Sequence, residues 1–341
     1  MKAVVICPGR GTYTKTELGY LARYHSDKTA MFARFDAQRQ AVGQATLAEL
    51  DGAASYSVAR HTRGDNASAL IYAATLGDFM AIDRAKIEVV AVTGNSMGWY
   101  SALACAGGLS AQNGFNVVNT MGTLMQEHLI GGQVIYPITG EDWRADPAAA
   151  AALIEVVTEI NTRADHVLGL SINLGGMLVL AGNDAGLAAF EAAVPAQGRF
   201  PMRLANHAGF HTQLQAPVAA AGQANLGVEL FQSPEVPLVD GRGAIWWPGA
   251  SDASDLRAYT LGHQVVEPYD FTRAIRTAAL EFAPDLFIIT GPGTTLGGAV
   301  AQSLIGCGWR GMQNKADFQR AQDSAPVLAA MGMEDQRALV T

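Results

Sequence analysis

Gly94-Asn95-Ser96-Met97-Gly98 is a GxSxG pentapeptide set between an apolar, β-branched run from Ile87 to Val92 and a small-residue, helix-compatible run from Trp99 to Gly107. That order asks for a strand that turns sharply into a helix. Such a turn lifts the serine hydroxyl out of the sheet and aims the backbone N–H of Met97 at an oxyanion formed there. The flanking glycines make room for the tight backbone approach. The pentapeptide alone is a weak signal; its context makes Ser96 a candidate nucleophile.

The rest of the chain bounds what surrounds that turn. With 341 residues, 49% hydrophobic and only 16% charged, it supports one large domain or two smaller ones with a sizeable buried core. A net charge of −8 and a pI near 5.3 argue against nucleic-acid or polybasic membrane-surface partners, both of which need concentrated Lys and Arg. Small molecules and proteins are the partners left. Cys7, Cys105 and Cys307 are odd in number and far apart, which supports neither a disulfide framework nor a CxxC metal or redox site. A reducing cytoplasm is the expected location. Ala3–Cys7 is too short for a signal segment, and Asp78, Asp83 and Arg84 interrupt the longest apolar stretch, so no membrane span is expected.

The first third alternates short apolar runs with longer helical patterns, the rhythm of a doubly wound, mainly parallel α/β sheet. Strands are expected at Ala3–Cys7 and Val89–Thr93. Helices are expected at Asp27–Leu50 with a break inside, Asn66–Ile82, Met97–Ala106 and Gly114–Leu129. From Gly132 to Leu204 the pattern changes to strand (Val134–Ile138), helix (Pro147–Thr162), strand (Val167–Ile172), strand (Met177–Ala181), helix (Ala185–Val194) and strand (Phe200–Leu204). A β-α-β-β-α-β order of this kind is a ferredoxin-like unit inserted into the main domain. The chain then returns to the main domain, with strands near Val236–Val239 and Leu286–Ile289 and a Gly291-Pro292-Gly293 turn opening a helix at Thr294–Ile305. The expected division is 1-131 and 205-310 for the large subdomain, 132-204 for the small one, and 311-341 as a mixed, moderately helical tail.

A serine nucleophile needs a base within hydrogen-bond reach, and histidine titrates nearest neutrality. Of the seven histidines, His25, His61, His128 and His166 read as surface or capping residues. His207 and His211, in Asn206-His207-Ala208-Gly209-Phe210-His211-Thr212, lie where the inserted unit hands the chain back to the main domain. Clefts between subdomains are where ligand sites concentrate. Their i, i+4 spacing would suit zinc on a helix, but Gly209 and the lack of an acidic base between them speak against a metal.

Five blocks in register then carry a resemblance: Cys7-Pro8-Gly9-Arg10-Gly11, Gly94-Asn95-Ser96-Met97-Gly98-Trp99-Tyr100-Ser101-Ala102-Leu103, Leu124-Met125-Gln126-Glu127, Phe210-His211-Thr212 and Gly291-Pro292-Gly293. Together they resemble the malonyl-CoA:acyl-carrier-protein transacylases and the acyltransferase domains of polyketide synthases, over about Lys2 to Ile305. The resemblance implies an α/β-hydrolase-like core, Ser96 as the acylated nucleophile and His211 as its base. It also implies an oxyanion hole from the backbone N–H groups of Arg10 and Met97, with Gln264 orienting the imidazole through its carbonyl. The implied substrate is an acyl-CoA, the implied partner an acyl carrier protein, and no cofactor or metal is called for. The pathway would be fatty-acid or polyketide biosynthesis.

Three residues depart from the family pattern. Asn95 stands where a histidine usually precedes the nucleophile, Arg10 replaces a glutamine in the first glycine loop, and Met121 replaces the arginine that pairs with the malonyl carboxylate. A carboxylate in a desolvated pocket needs a partner cation, so a thioether at position 121 favours an uncharged acyl chain. Val117, Val118, Met121, Leu124 and Met125 also recur at helical spacing, which suits an ordinary core residue. Arg10 is either a substitute cation for that carboxylate or a solvent-facing loop residue. Met121, Asn95 and Phe210 are the residues expected to line the acyl pocket.

Two other chemistries fit a GxSxG serine. One is hydrolysis of an acyl thioester on the same fold, with water taking the place of the carrier thiol. The other is a patatin-type Ser–Asp lipid hydrolase using Asp240, although Asp240 before Gly241 reads better as a turn residue. A non-catalytic binding module is disfavoured by the presence of both Ser96 and His211.

Overall fold

The computed structural model describes residues 1–341 apart from residue 145. Eleven strands, in chain order β1 (Lys2–Cys7), β2 (Glu88–Gly94), β3 (Gly132–Pro137), β4 (Leu168–Leu174), β5 (Met177–Gly182), β6 (Met202–Arg203), β7 (Leu238–Val239), β8 (Ile245–Trp246), β9 (Tyr269–Asp270), β10 (Leu286–Ile289) and β11 (Leu328–Ala330), form two sheets among the described residues.

The larger sheet has the order β11-β10-β1-β2-β7-β8 and is parallel throughout except for the β7–β8 hairpin. Its central strand is apolar without alternation, Ala3 to Cys7 being fully buried, because helices cover both faces. Strand register sets the positions of the loops. Cys7 pairs with Gly94, so the Pro8-Gly9-Arg10-Gly11 loop leaves β1 beside the serine turn leaving β2. Ile6 pairs with Ile289 on the other side, which brings the Gly291-Pro292-Gly293 loop to the same edge. A site at the carboxyl ends of parallel strands is the usual consequence.

The smaller sheet runs β6-β3-β5-β4-β9, its first four strands mutually antiparallel. Period-two alternation splits its two faces. Val134, Tyr136, Leu178 and Leu180 pack under the helices Pro147–Ile160 and Asp184–Ala193. The opposite face turns Ile135, Ile172 and Val179 toward the main body. β9, which belongs to the returning chain, adds in parallel to β4 and extends this sheet beyond the 132-204 segment.

Three expectations are corrected here. The 311-341 segment has the helical character expected of it, at Lys315–Ser324, but is not merely a tail, since it also supplies β11, the edge strand beside β10. Only three residues long, β11 carries too short a pattern to stand out from helical surroundings. His25 is fully buried rather than at the surface, its Nε2 2.9 Å from Asp78 Oδ1. Arg337 donates to the same carboxylate, which also accepts from Tyr20 Oη and Gly291 N. His61 is buried as well, bonded to Leu50 O and stacked on Tyr56. In both cases a distant partner, invisible along the chain, satisfies the imidazole.

Candidate active site

Ser96 sits on the sharp turn between β2 and the helix Gly98–Cys105, with φ at 56°. Backbone in that left-handed region is unfavourable for a side-chain-bearing residue by roughly 1–2 kcal/mol and persists only where its surroundings fix it. Here they do. A Cβ at Gly98 would stand 2.1 Å from Cys7 O, and one at Gly94 would stand 2.3 Å from Gly98 C, so both glycines are required by close approach of backbone.

His211 reaches the turn from the loop that follows β6. Its Nε2 lies 2.8 Å from Ser96 Oγ, and its Nδ1 lies 2.6 Å from the backbone carbonyl of Gln264. A carbonyl can only accept, so Nδ1 carries the proton and Nε2 presents a lone pair to the serine hydroxyl. Burial of the whole imidazole pushes its pKa down to about 4, against the raising effect of the Gln264 carbonyl. The ring is therefore neutral at physiological pH, the state a general base needs.

Gln264 follows a turn of π-helix at Tyr259–His263, a distortion often found where a helix must place one residue out of register. Its backbone holds His211 on one side. Its side chain donates from Nε2 to Ser96 O and accepts from Tyr100 Oη, so one residue ties nucleophile turn, base and nucleophile helix together. His211 N–H also donates to Val265 O, and Tyr269 packs on the imidazole with ring centroids 5.3 Å apart.

Among the described residues, no acceptor takes the backbone N–H of Arg10 or of Met97. Both residues border the same cavity as Ser96. Arg10 is half-buried and turns inward rather than into solvent. Its guanidinium donates to Thr62 O, Asn206 O and Met125 Sδ, while its Nε has no partner. Burial lowers its pKa to about 10, partly offset by Asp65, so it stays protonated near neutrality.

The cavity, about 270 Å³, opens between the serine turn and the inward face of the smaller sheet. Met121, Asn95 and Phe210 all line it, and sequence reasoning placed them there. It missed the opposite wall, where Ile135, Ile172, Met177, Val179 and Met202 project from four strands of the insert. Strict alternation along those strands was the signal available, but which face met the serine was not. Met121 is at once core and cavity wall, 2% exposed. Asp240 is elsewhere in its bonding: it accepts from Arg242, Ala244 N and Trp246 Nε1, with no contact to Ser96, which removes the Ser–Asp dyad.

Known proteins resemble the chain in sequence and in fold. The malonyl CoA-acyl carrier protein transacylase of Bacillus subtilis is 27% identical over 209 residues, 61% of this chain and 62% of that protein. The phenolphthiocerol synthesis polyketide synthase type I Pks15/1 of Mycobacterium marinum is 27% identical over 316 residues, 89% of this chain and 14% of the synthase. In sequence the chain is thus similar to malonyl-CoA:acyl-carrier-protein transacylases and to part of a polyketide synthase. It spans less than two thirds of the length of these relatives. In fold, the crystal structure of the malonyl-CoA:acyl carrier protein transacylase of Xanthomonas oryzae superposes with a TM-score of 0.75 at 20% identity, covering 98% of this chain and 96% of that one. A malonyl-transacylase solved in complex with its type II polyketide synthase acyl-carrier protein gives 0.75 at 20% identity, covering 99% and 97%. No protein-family model matches the chain. No helix among the described residues is long and apolar enough to cross a membrane.

Proposed function

We propose that this chain moves an acyl group from CoA to the phosphopantetheine thiol of an acyl carrier protein through an acyl-Ser96 intermediate. The observation that carries the reading is the hydrogen bond between Ser96 Oγ and a His211 Nε2 left unprotonated by the Gln264 carbonyl. His211 accepts the hydroxyl proton as Ser96 Oγ attacks the thioester carbonyl, the oxyanion takes the N–H groups of Arg10 and Met97, and the proton passes to the departing CoA sulfur. The carrier thiol reverses these steps: its proton goes to His211, its sulfur attacks the ester, and the proton returns to Ser96 Oγ. Every bond broken has its counterpart formed, and no cofactor enters.

The acyl group is uncharged. Met121 offers no cation, most of the cavity wall is apolar, the Arg10 guanidinium already donates to two main-chain carbonyls and a sulfur, and Arg199, the other guanidinium in the lining, is solvent-exposed and lies over the Phe200 ring. Burying a carboxylate there would leave it without a dedicated bidentate partner. Intact-protein mass spectrometry after incubation with acetyl-, butyryl-, hexanoyl- and malonyl-CoA tests both statements. Acyl adducts on Ser96 that a carrier protein then removes support transfer. Adducts that vanish equally fast in plain buffer would make the protein a thioester hydrolase, and a dominant malonyl adduct would overturn the uncharged acyl group.

A further inference from the structure

Most of the acyl cavity is apolar, but one imidazole in its wall is left with an open lone pair. His207 Nδ1 is 2.9 Å from Gln133 Oε1, Gln133 Nε2 donates to Ser171 Oγ, and Ser171 Oγ donates to Phe210 O. The last acceptor is a backbone carbonyl, which cannot donate, so the direction of every bond in the relay is fixed from that end. Ser171 spends its proton on Phe210, Gln133 must therefore give its amide N–H to Ser171, and the Gln133 carbonyl must accept from His207. The proton of His207 is on Nδ1 and its Nε2 is an acceptor. Among the described residues Nε2 has no hydrogen-bond partner, and His207 and Gln133 both line the cavity. Burial and the neighbouring Arg10 charge hold the ring in its neutral form.

An acceptor without a partner, in a wall whose surface is mostly apolar, selects for a ligand that brings a donor. We propose that His207 is a specificity-determining residue that accepts a hydrogen bond from a hydroxyl group on the acyl chain, so that hydroxyacyl thioesters are the preferred substrates. This rests on the acyl-transfer reading above. An amine would bring a donor too, but as an ammonium it would meet the Arg10 guanidinium in the same cavity. A hydroxyl brings the donor without the charge. The amide N–H groups of the pantetheine arm are common to all CoA substrates, and so cannot produce a preference among acyl groups.

The test is competitive loading of the full chain, read by intact mass, with equimolar pairs: butyryl-CoA against 2- and 3-hydroxybutyryl-CoA, and hexanoyl-CoA against 3- and 5-hydroxyhexanoyl-CoA. In the wild-type protein at least one hydroxylated member is expected to load about tenfold faster than its unsubstituted partner, the usual scale for one neutral hydrogen bond. His207→Leu should bring that ratio to one or below, and His207→Gln, which keeps a carbonyl acceptor, should restore part of it. Gln133→Leu, which frees the tautomer, should lower the ratio without touching His207. Ratios near one for all pairs in the wild-type protein overturn the proposal, as does a preference that survives His207→Leu. Equal slowing of both members in the variants would reassign His207 to the pantetheine arm. Failure of every acyl-CoA to load Ser96 would instead remove the acyl-transfer reading itself.

Discussion

Ser96 and His211 meet at 2.8 Å with both backbones in the left-handed region, φ being 56° and 61°. Each is held there by neighbours rather than by its own preference. Ser96 is clamped by the Gly94 and Gly98 close approaches, and His211 by the bonds to Gln264 O and Val265 O. The site therefore stores strain at both members of the serine–histidine pair, and the strain positions them.

Removing the nucleophile should separate chemistry from folding. Ser96→Ala is expected to abolish self-acylation, a loss of roughly four orders of magnitude or more, with the fold intact. Ser96→Gly should be equally inactive but more stable than Ser96→Ala by about 1 kcal/mol, because glycine accepts positive φ. Thermal unfolding of the two variants together with intact-mass acylation checks both parts. Acylation persisting in either variant would move the nucleophile elsewhere.

His211→Ala is expected to lower transfer as severely as loss of the serine. Asp240→Asn should leave turnover largely intact while lowering stability by about 1–3 kcal/mol, since it weakens a buried acceptor bonded to Arg242, Ala244 and Trp246. Rate and melting temperature measured on the same samples distinguish the two. An Asp240→Asn protein that is stable and dead would restore the Ser–Asp dyad.

The pH dependence rests on the lowered pKa of His211, about 4 when folded against an ordinary value of 6.5. The base is neutral above its folded pKa, so the acylation rate should stay flat from neutrality down to about pH 5 and fall near pH 4. Stability moves differently. Between the two pKa values the unfolded chain binds the proton and the folded protein does not, so the stabilising contribution present above pH 6.5 is lost as the pH falls toward 4. His207, also pushed down by burial, adds in the same direction. His211 by itself should remove on the order of 2–3 kcal/mol over that window. Urea unfolding at pH 7 and pH 5 measures it; equal stability at both would contradict a buried neutral pair.

Substrate charge should respond to the wall of the cavity. Met121→Arg is expected to shift loading toward malonyl-CoA while lowering stability, because it buries another cation in a cavity that Arg10 and Arg199 already border. Arg10→Gln should weaken the tie between Thr62 and Asn206 but leave the preference for uncharged acyl groups unchanged in direction. If the native protein loads malonyl and Arg10→Gln loses that ability, Arg10 has replaced the missing arginine as the carboxylate clamp.

Arg337→Ala should destabilise the protein by about 3–5 kcal/mol, since it strips a buried cation from the Asp78 carboxylate. Asp78 also accepts from Gly291 N, at the loop beside the glycine turn that carries Arg10. Chemical denaturation measures the loss, and a change below about 1 kcal/mol would show that the carboxyl-terminal segment contributes little to that corner.

The local sequence determined a great deal at the serine. β-branched residues before Gly94, small residues after Gly98 and the spacing of the glycines specify a strand–turn–helix by short-range sterics, which is why Ser96 and the strands around it were legible without coordinates. The same holds for the insert, where alternation predicts strands one by one. The resemblance pointed to His211, which the fold brings to the serine; tertiary structure alone decided that Arg10 turns inward to Thr62 and Asn206, and that Asp78 gathers His25 and Arg337 from opposite ends of the chain. It also decided that the insert's inner face, with Gln133 and His207, closes the cavity beside Ser96. These are long-range relations between polar groups. No periodicity announces them, because a buried donor or acceptor is satisfied by whichever partner the fold brings within about 3 Å, at any separation along the chain.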